Sequence, residues 1–122
     1  MAPDAFLLAP PPYQPQFPDD KSAGIGIIGT GSIVRNVHLN AYQKYGLTVT
    51  GVYDPVPEAT ATAVQQYPFI GQVYASVEAL LADPQVKIVD IATPPHVRPA
   101  LIAQALAAGK HILAQKPLAN TV

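Results

Sequence analysis

The chain contains no cysteine and no tryptophan, and its single methionine is Met1. Without thiols it has no disulfide framework, no redox pair and no thiolate metal centre, which suits a reducing, intracellular setting. Its three histidines, His38, His96 and His111, show no metal-ligand spacing. Charge is scarce as well: 12% of residues are Asp, Glu, Lys or Arg, and the formal net charge is −1. With no basic run or stripe there is no nucleic-acid footprint. No apolar run reaches the length of a membrane span. The short run Ala5-Phe6-Leu7-Leu8-Ala9 has no basic residue before it and prolines directly after it, so it does not read as a secretory signal. These absences predict a cytoplasmic chain without membrane or nucleic-acid partners.

What is present is apolar and punctuated. An apolar content of 49% in 122 residues is enough for the core of one domain. Residues 1–22 hold six of the fourteen prolines and read as an extended arm. Pro12, Pro15 and Pro18 recur every third residue, which puts them on one edge of a polyproline II helix. That arm suits an SH3-like groove, a stiff tail or a neighbouring subunit. Residues 23–122 form the folded unit.

The stretch Gly24-Ile25-Gly26-Ile27-Ile28-Gly29-Thr30-Gly31-Ser32-Ile33 holds a glycine fingerprint in two registers. The literal match, Gly24-x-Gly26-x-x-Gly29, lacks a strand before it, and a dinucleotide loop must follow a strand and open a helix. Gly24 to Ile28 is therefore the strand. The functional turn is Gly29-Thr30-Gly31-Ser32-Ile33, with Val34 in the third glycine slot. Gly29 allows the tight turn and Gly31 the close approach of a pyrophosphate, and the helix that follows favours an anion at its start. Val34, bulkier than Gly or Ala, predicts a slightly wider helix–strand spacing. A second strand, Leu47 to Tyr53, runs into Asp54, 25 residues beyond Gly29. That is close to the spacing at which a carboxylate accepts hydrogen bonds from the adenosine ribose. No Arg or Lys follows before Lys87, which favours NAD over NADP. The bland alternative for Asp54 is a turn cap ahead of Pro55.

Strands and helices then alternate. The first helix carries Ile33, Val34, Val37, Ala41 and Tyr45 at helical spacing and stops at Gly46. A helix from the Pro55/Pro57 region to Tyr67 is followed by a short third strand, Gln72 to Ala75. Ser76 caps a short helix through Leu81, and Val86 to Ala92 is a fourth strand. A long helix with Val97, Leu101, Ile102, Ala105 and Leu106 on one face stops at Gly109. His111 to Ala114 is the fifth strand. The pattern predicts an α/β, Rossmann-type doubly wound parallel sheet of order 3-2-1-4-5, with its ligand crevice at the strand carboxyl ends. The turn after Gly29, the loop Ala92-Thr93-Pro94-Pro95-His96 and the segment Gln115-Lys116-Pro117 converge there. His38 reads as structural and His111 as packed or capping. His96 reads as either a cofactor contact or a helix start.

The motifs GTGSI, YD after the second strand, DIATPPH after the fourth and AGKHILAQKP together resemble the N-terminal domain of the Gfo/Idh/MocA oxidoreductases. The resemblance covers about residues 24 to 120. It implies a nicotinamide-dependent enzyme acting on a sugar, cyclitol or related hydroxy compound, with Ala92 to His96 along the cofactor. It also implies that Lys116 meets the substrate hydroxyl near the nicotinamide, as a lysine able to exchange a proton. Gln115 stands where the family has a glutamate, and a neutral amide cannot tune that lysine electrostatically. The family continues into a second, sheet-based substrate domain, so the 122-residue chain alone is expected to be inactive and to self-associate through exposed apolar surface. Two other readings stay open: a non-catalytic NAD-binding interaction module, and a nucleotide fold of methyltransferase type.

Overall fold

The computed structural model describes residues 20–114. Four parallel strands form one sheet in the order β2-β1-β3-β4: β1 Gly24–Ile28, β2 Val49–Tyr53, β3 Val86–Ile91 and β4 His111–Ala114. β1 is central and buried on both faces, as a run of apolar residues and small glycines should be in a parallel sheet. The chain leaves β1 towards β2 on one side and returns to β3 on the other. That reversal opens a crevice at the carboxyl ends of β1 and β3.

Two apolar layers sandwich the sheet. On one face Ile25, Ile27, Val49 and Val52 pack with Val34, Leu39, Ala63 and Ile70. On the other, Ile28, Val86, Val89 and Ile91 pack with Tyr74, Leu80 and Ala105. The covering helices are α1 Leu39–Lys44, α2 Pro57–Gln66, α3 Val77–Ala82 and α4 Arg98–Ala107. The Ser76 hydroxyl accepts from the Ala79 N–H at 3.0 Å and caps α3 as expected, a contact worth about 1 kcal/mol. The stops at Gly46 and Gly109 are in place, with φ of 71° and 75°.

Three expectations need correction. The third strand, Gln72 to Ala75, shrinks to a single bridge between Val73 and Val52, so four strands of the expected five form the sheet. Gly71 N–H, Val52 N–H and Tyr74 N–H still bond across to or from β2, so this segment flanks β2 where a third strand belongs. It follows directly on the turn closed by Ile70 N–H to Tyr67 carbonyl, which leaves too little extended chain for a ladder.

The helix after the glycine turn also departs from plan. Val34–His38 is a π-turn, closed by the Leu39 N–H on the Val34 carbonyl, that precedes α1. The extra residue per turn moves the buried face to Val34 and Leu39. Ile33 and Val37 are left 46% and 53% exposed. The last correction concerns α4, where Leu106, expected to be inside, is 62% exposed while Arg98 is buried. The proline-rich arm up to residue 19, together with Gln115, Lys116 and Pro117, lies outside the described residues.

Candidate functional site: a crevice at the strand ends

The end of β1 is clamped from both sides. Gly29 N–H donates to the Tyr53 carbonyl at 2.8 Å, and Ala92 N–H donates to the Ile28 carbonyl at 2.9 Å. Gly29 sits at φ 100°, and a Cβ there would lie 2.6 Å from the Ala92 carbonyl oxygen. Only glycine lets these strand ends close up in this way. At Gly31 the Cβ direction is open, with nothing within 4 Å. The Arg35 N–H bond to the Gly31 carbonyl at 3.1 Å starts the helix there.

A crevice of about 420 Å³ lies over this turn, lined by Gly29, Gly31, Asp54, Ala92, Thr93, Pro94 and His96, with Pro55, Val56 and Val97 beside them. Seven residues expected at a cofactor site are thus brought together. Thr30, Ser32 and Ile33 do not line it. Thr30 is fully buried, its N–H donating to Asp54 Oδ2 at 2.8 Å and its hydroxyl reaching the same oxygen at 3.3 Å. Ser32 is exposed and accepts from Asn36 at 3.0 Å. An adjoining apolar hollow of about 390 Å³ is lined by Ile28, Tyr53, Val77 and Leu101, and shares Pro55, Thr93, His96 and Val97 with the crevice.

Asp54 is oriented before any ligand arrives. Besides the two Thr30 donors on Oδ2, the Val56 N–H reaches Oδ1 at 2.8 Å. Three donors occupy a carboxylate that offers about four lone-pair sites, so capacity for a further donor remains on a residue that lines the crevice. The turn-cap reading and the ribose reading are therefore compatible. Thr93 is buried, and its hydroxyl has no hydrogen-bond partner among the described residues. Arg98, which sequence reasoning passed over, holds this loop from behind with Nε donating to the Thr93 carbonyl at 2.8 Å.

Behind the crevice lies a second polar group that was not foreseen. Asp90 on β3 is fully buried, and its Oδ2 receives the Tyr42 hydroxyl at 2.7 Å and His38 Nδ1 at 2.8 Å. Burial and the carboxylate push the Tyr42 hydroxyl well above its ordinary value. The Asp90 hydrogen bond raises His38, against the opposing effect of burial. His38, expected to be structural, is held on Asp90 and does not line the crevice. His111 is exposed at the start of β4. Among the described residues no helix is long and apolar enough to cross a membrane, and no cluster of His, Cys, Asp or Glu could hold a metal ion.

A parallel sheet with a glycine turn at its switch point and an acidic residue after the next strand defines a dinucleotide-binding α/β domain. The comparisons make this specific. Residues 23–122 match the Gfo/Idh/MocA model, described as an oxidoreductase family with an NAD-binding Rossmann fold, and the chain belongs to that family. The levoglucosan dehydrogenase of Pseudarthrobacter phenanthrenivorans is 38% identical over 83% of this chain and 28% of its own length. The inositol 2-dehydrogenase of Pseudomonas savastanoi is 36% identical over 80% of this chain and 29% of its own. Among solved structures, the Lactobacillus casei myo-inositol dehydrogenase, in complex with NAD(H) and myo-inositol, superposes with a TM-score of 0.72. It is 32% identical over 80% of this chain and 29% of that one. The chain thus spans less than a third of the length of the curated relatives it matches.

Proposed function

We propose that this chain forms the NAD-binding half of an oxidoreductase that acts on a sugar, cyclitol or related hydroxy compound. The observation that carries the reading is the crevice itself. One wall has open space at Gly31, the floor has Gly29 pressed onto Ala92, and the carboxylate of Asp54 is fixed with accepting capacity to spare. These residues fit a dinucleotide. Gly29 and Gly31 admit its pyrophosphate and Asp54 accepts from its ribose, while Ala92, Thr93, Pro94 and His96 line its path. The buried Thr93 hydroxyl offers a hydrogen bond with no competing partner among the described residues. Thr30 acts by orienting Asp54, and Ser32 and Ile33 by opening the helix. When bound, the nicotinamide supplies the hydride chemistry, and the protein sets distance and orientation.

Lys116 would exchange the proton of the substrate hydroxyl, with Gln115 beside it as a neutral hydrogen-bonding group. The relatives named above are sugar and cyclitol dehydrogenases, which supports this substrate class. Gln115 in place of glutamate also keeps a second reading alive, a non-catalytic NAD-binding module. Turnover of a hydroxy substrate when the chain is joined to a substrate domain of the family, with loss on Lys116→Ala, separates the two.

The chain is expected to bind NADH in preference to NADPH. Asp54→Ala should weaken NADH by about tenfold, the scale of a lost hydrogen bond to a charged acceptor. Preference for NADPH, or an unchanged NADH titration in the variant, would overturn the role given to Asp54. Exposed Leu113 on the edge strand β4 and Leu106 on α4 leave apolar surface uncovered, so the chain should self-associate. A monomer by light scattering at high concentration would count against this.

A further inference from the structure

Asp90 is the one charged group of the described residues that is fully buried in the sheet. A buried carboxylate is tolerated only with donors, and both of its recorded donors come from one place, the helical segment that begins at the glycine turn. The π-turn makes this possible. It turns Val37 outward and leaves His38 and Tyr42, four residues apart, on Asp90. An ionised carboxylate only accepts, so His38 carries its proton on Nδ1 and donates. Asp90 itself lies two residues before Ala92, where β3 becomes the Ala92–Thr93 wall of the crevice. The other wall, Gly29 to Gly31, leads directly into the helix that His38 and Tyr42 occupy.

We propose that Asp90 is a positioning residue for the dinucleotide crevice: through His38 and Tyr42 it ties the glycine-turn helix to β3, and so fixes one crevice wall against the other. The proposal rests on the cofactor reading above, but its mechanical part does not require a ligand. Asp90 from β3 and Tyr42 from its own helix are among the ionisable groups that face His38. From α2's end, Tyr67 reaches the same turn but bonds the Arg35 carbonyl. Because Asp90 raises the His38 value, the tie is complete below the ordinary histidine range. It weakens as pH rises through the raised value in the folded chain.

The test measures NADH affinity by fluorescence from about pH 6 to about pH 9, across the histidine range. The chain is compared with its Asp90→Asn, His38→Gln and Tyr42→Phe variants, with amide hydrogen exchange of residues 34–44 and 57–66 followed in parallel. The unaltered chain should lose affinity as pH rises. Asp90→Asn and His38→Gln should bind about tenfold more weakly at the acid end and show a flat profile, with faster exchange in 34–44 and little change in 57–66. Tyr42→Phe keeps the ion pair, so its slope should persist with only a few-fold loss; it also serves if Asp90→Asn fails to fold. Unchanged affinity and slope in Asp90→Asn, or equal acceleration of both helices, would overturn the tie while leaving the cofactor reading intact. An unaltered chain that binds no NADH at any pH overturns the cofactor reading and the positioning role together, whatever the exchange pattern.

Discussion

Asp54 and Asp90 flank the same central strand and have opposite fates. Asp54 follows Tyr53, whose partner in β1 is Ile28, while Asp90 lies within β3 opposite Ile27. One carboxylate sits just past a strand end, where backbone N–H groups at Thr30 and Val56 are at hand and solvent is near. The other sits inside the sheet, where its recorded donors are side chains brought in by a helix. A displacement of a residue or two along a strand thus decides whether an aspartate faces a ligand or holds the scaffold. Its spare capacity follows the same division. Asp54, which lines the crevice, keeps accepting capacity beyond its three donors, whereas Asp90 Oδ1 is buried without a hydrogen-bond partner among the described residues.

The comparison breaks most visibly at Asp90. Asp90→Ala removes the shared acceptor of two partly buried donors, the Tyr42 hydroxyl and His38 Nδ1, in a site largely closed to water. The expected loss is about 3 kcal/mol of unfolding free energy in urea, the range for stripping one member from a buried polar network. A loss below about 1 kcal/mol would mean that the carboxylate contributes no more than an exposed pair does, and the contrast with Asp54 would collapse.

How much of this was legible in the sequence follows from the range over which each feature is decided. β1 and β4 lie where the apolar runs put them, and Ser76 caps its helix, because strand patterns and caps are set by near neighbours. The crevice was legible for the same reason: Gly29, Asp54 and Thr93 each stand at a strand end, and parallel topology brings strand ends together. Val37 was misplaced because one extra residue in a π-turn shifts the buried face, and no residue type announces that turn. Asp90 did give a signal, as the only acid in the apolar run Val86 to Ala92. Its partners were hidden, since Tyr42 and His38 lie 48 and 52 residues away in sequence. Arg98 was hidden too, because charge at a helix start reads as surface until the Thr93 carbonyl is seen beside it.

The smaller effect belongs to Asp54. In Asp54→Asn one carboxylate oxygen becomes an amide nitrogen, which cannot accept from either Thr30 or Val56, so one backbone N–H loses its acceptor. The remaining oxygen can stay on buried Thr30 and leave the exposed Val56, where water replaces the lost bond, and the expected cost is about 1 kcal/mol in the same urea measurement. NADH affinity should fall further than stability does, because the spare accepting site proposed for the ribose is the part with no substitute. If instead Asp54→Asn costs as much stability as Asp90→Ala and leaves NADH binding untouched, the two aspartates have exchanged the roles assigned to them. The carboxylate at the strand end would then be the structural one, a turn cap holding Thr30 and Val56 rather than a contact for the cofactor.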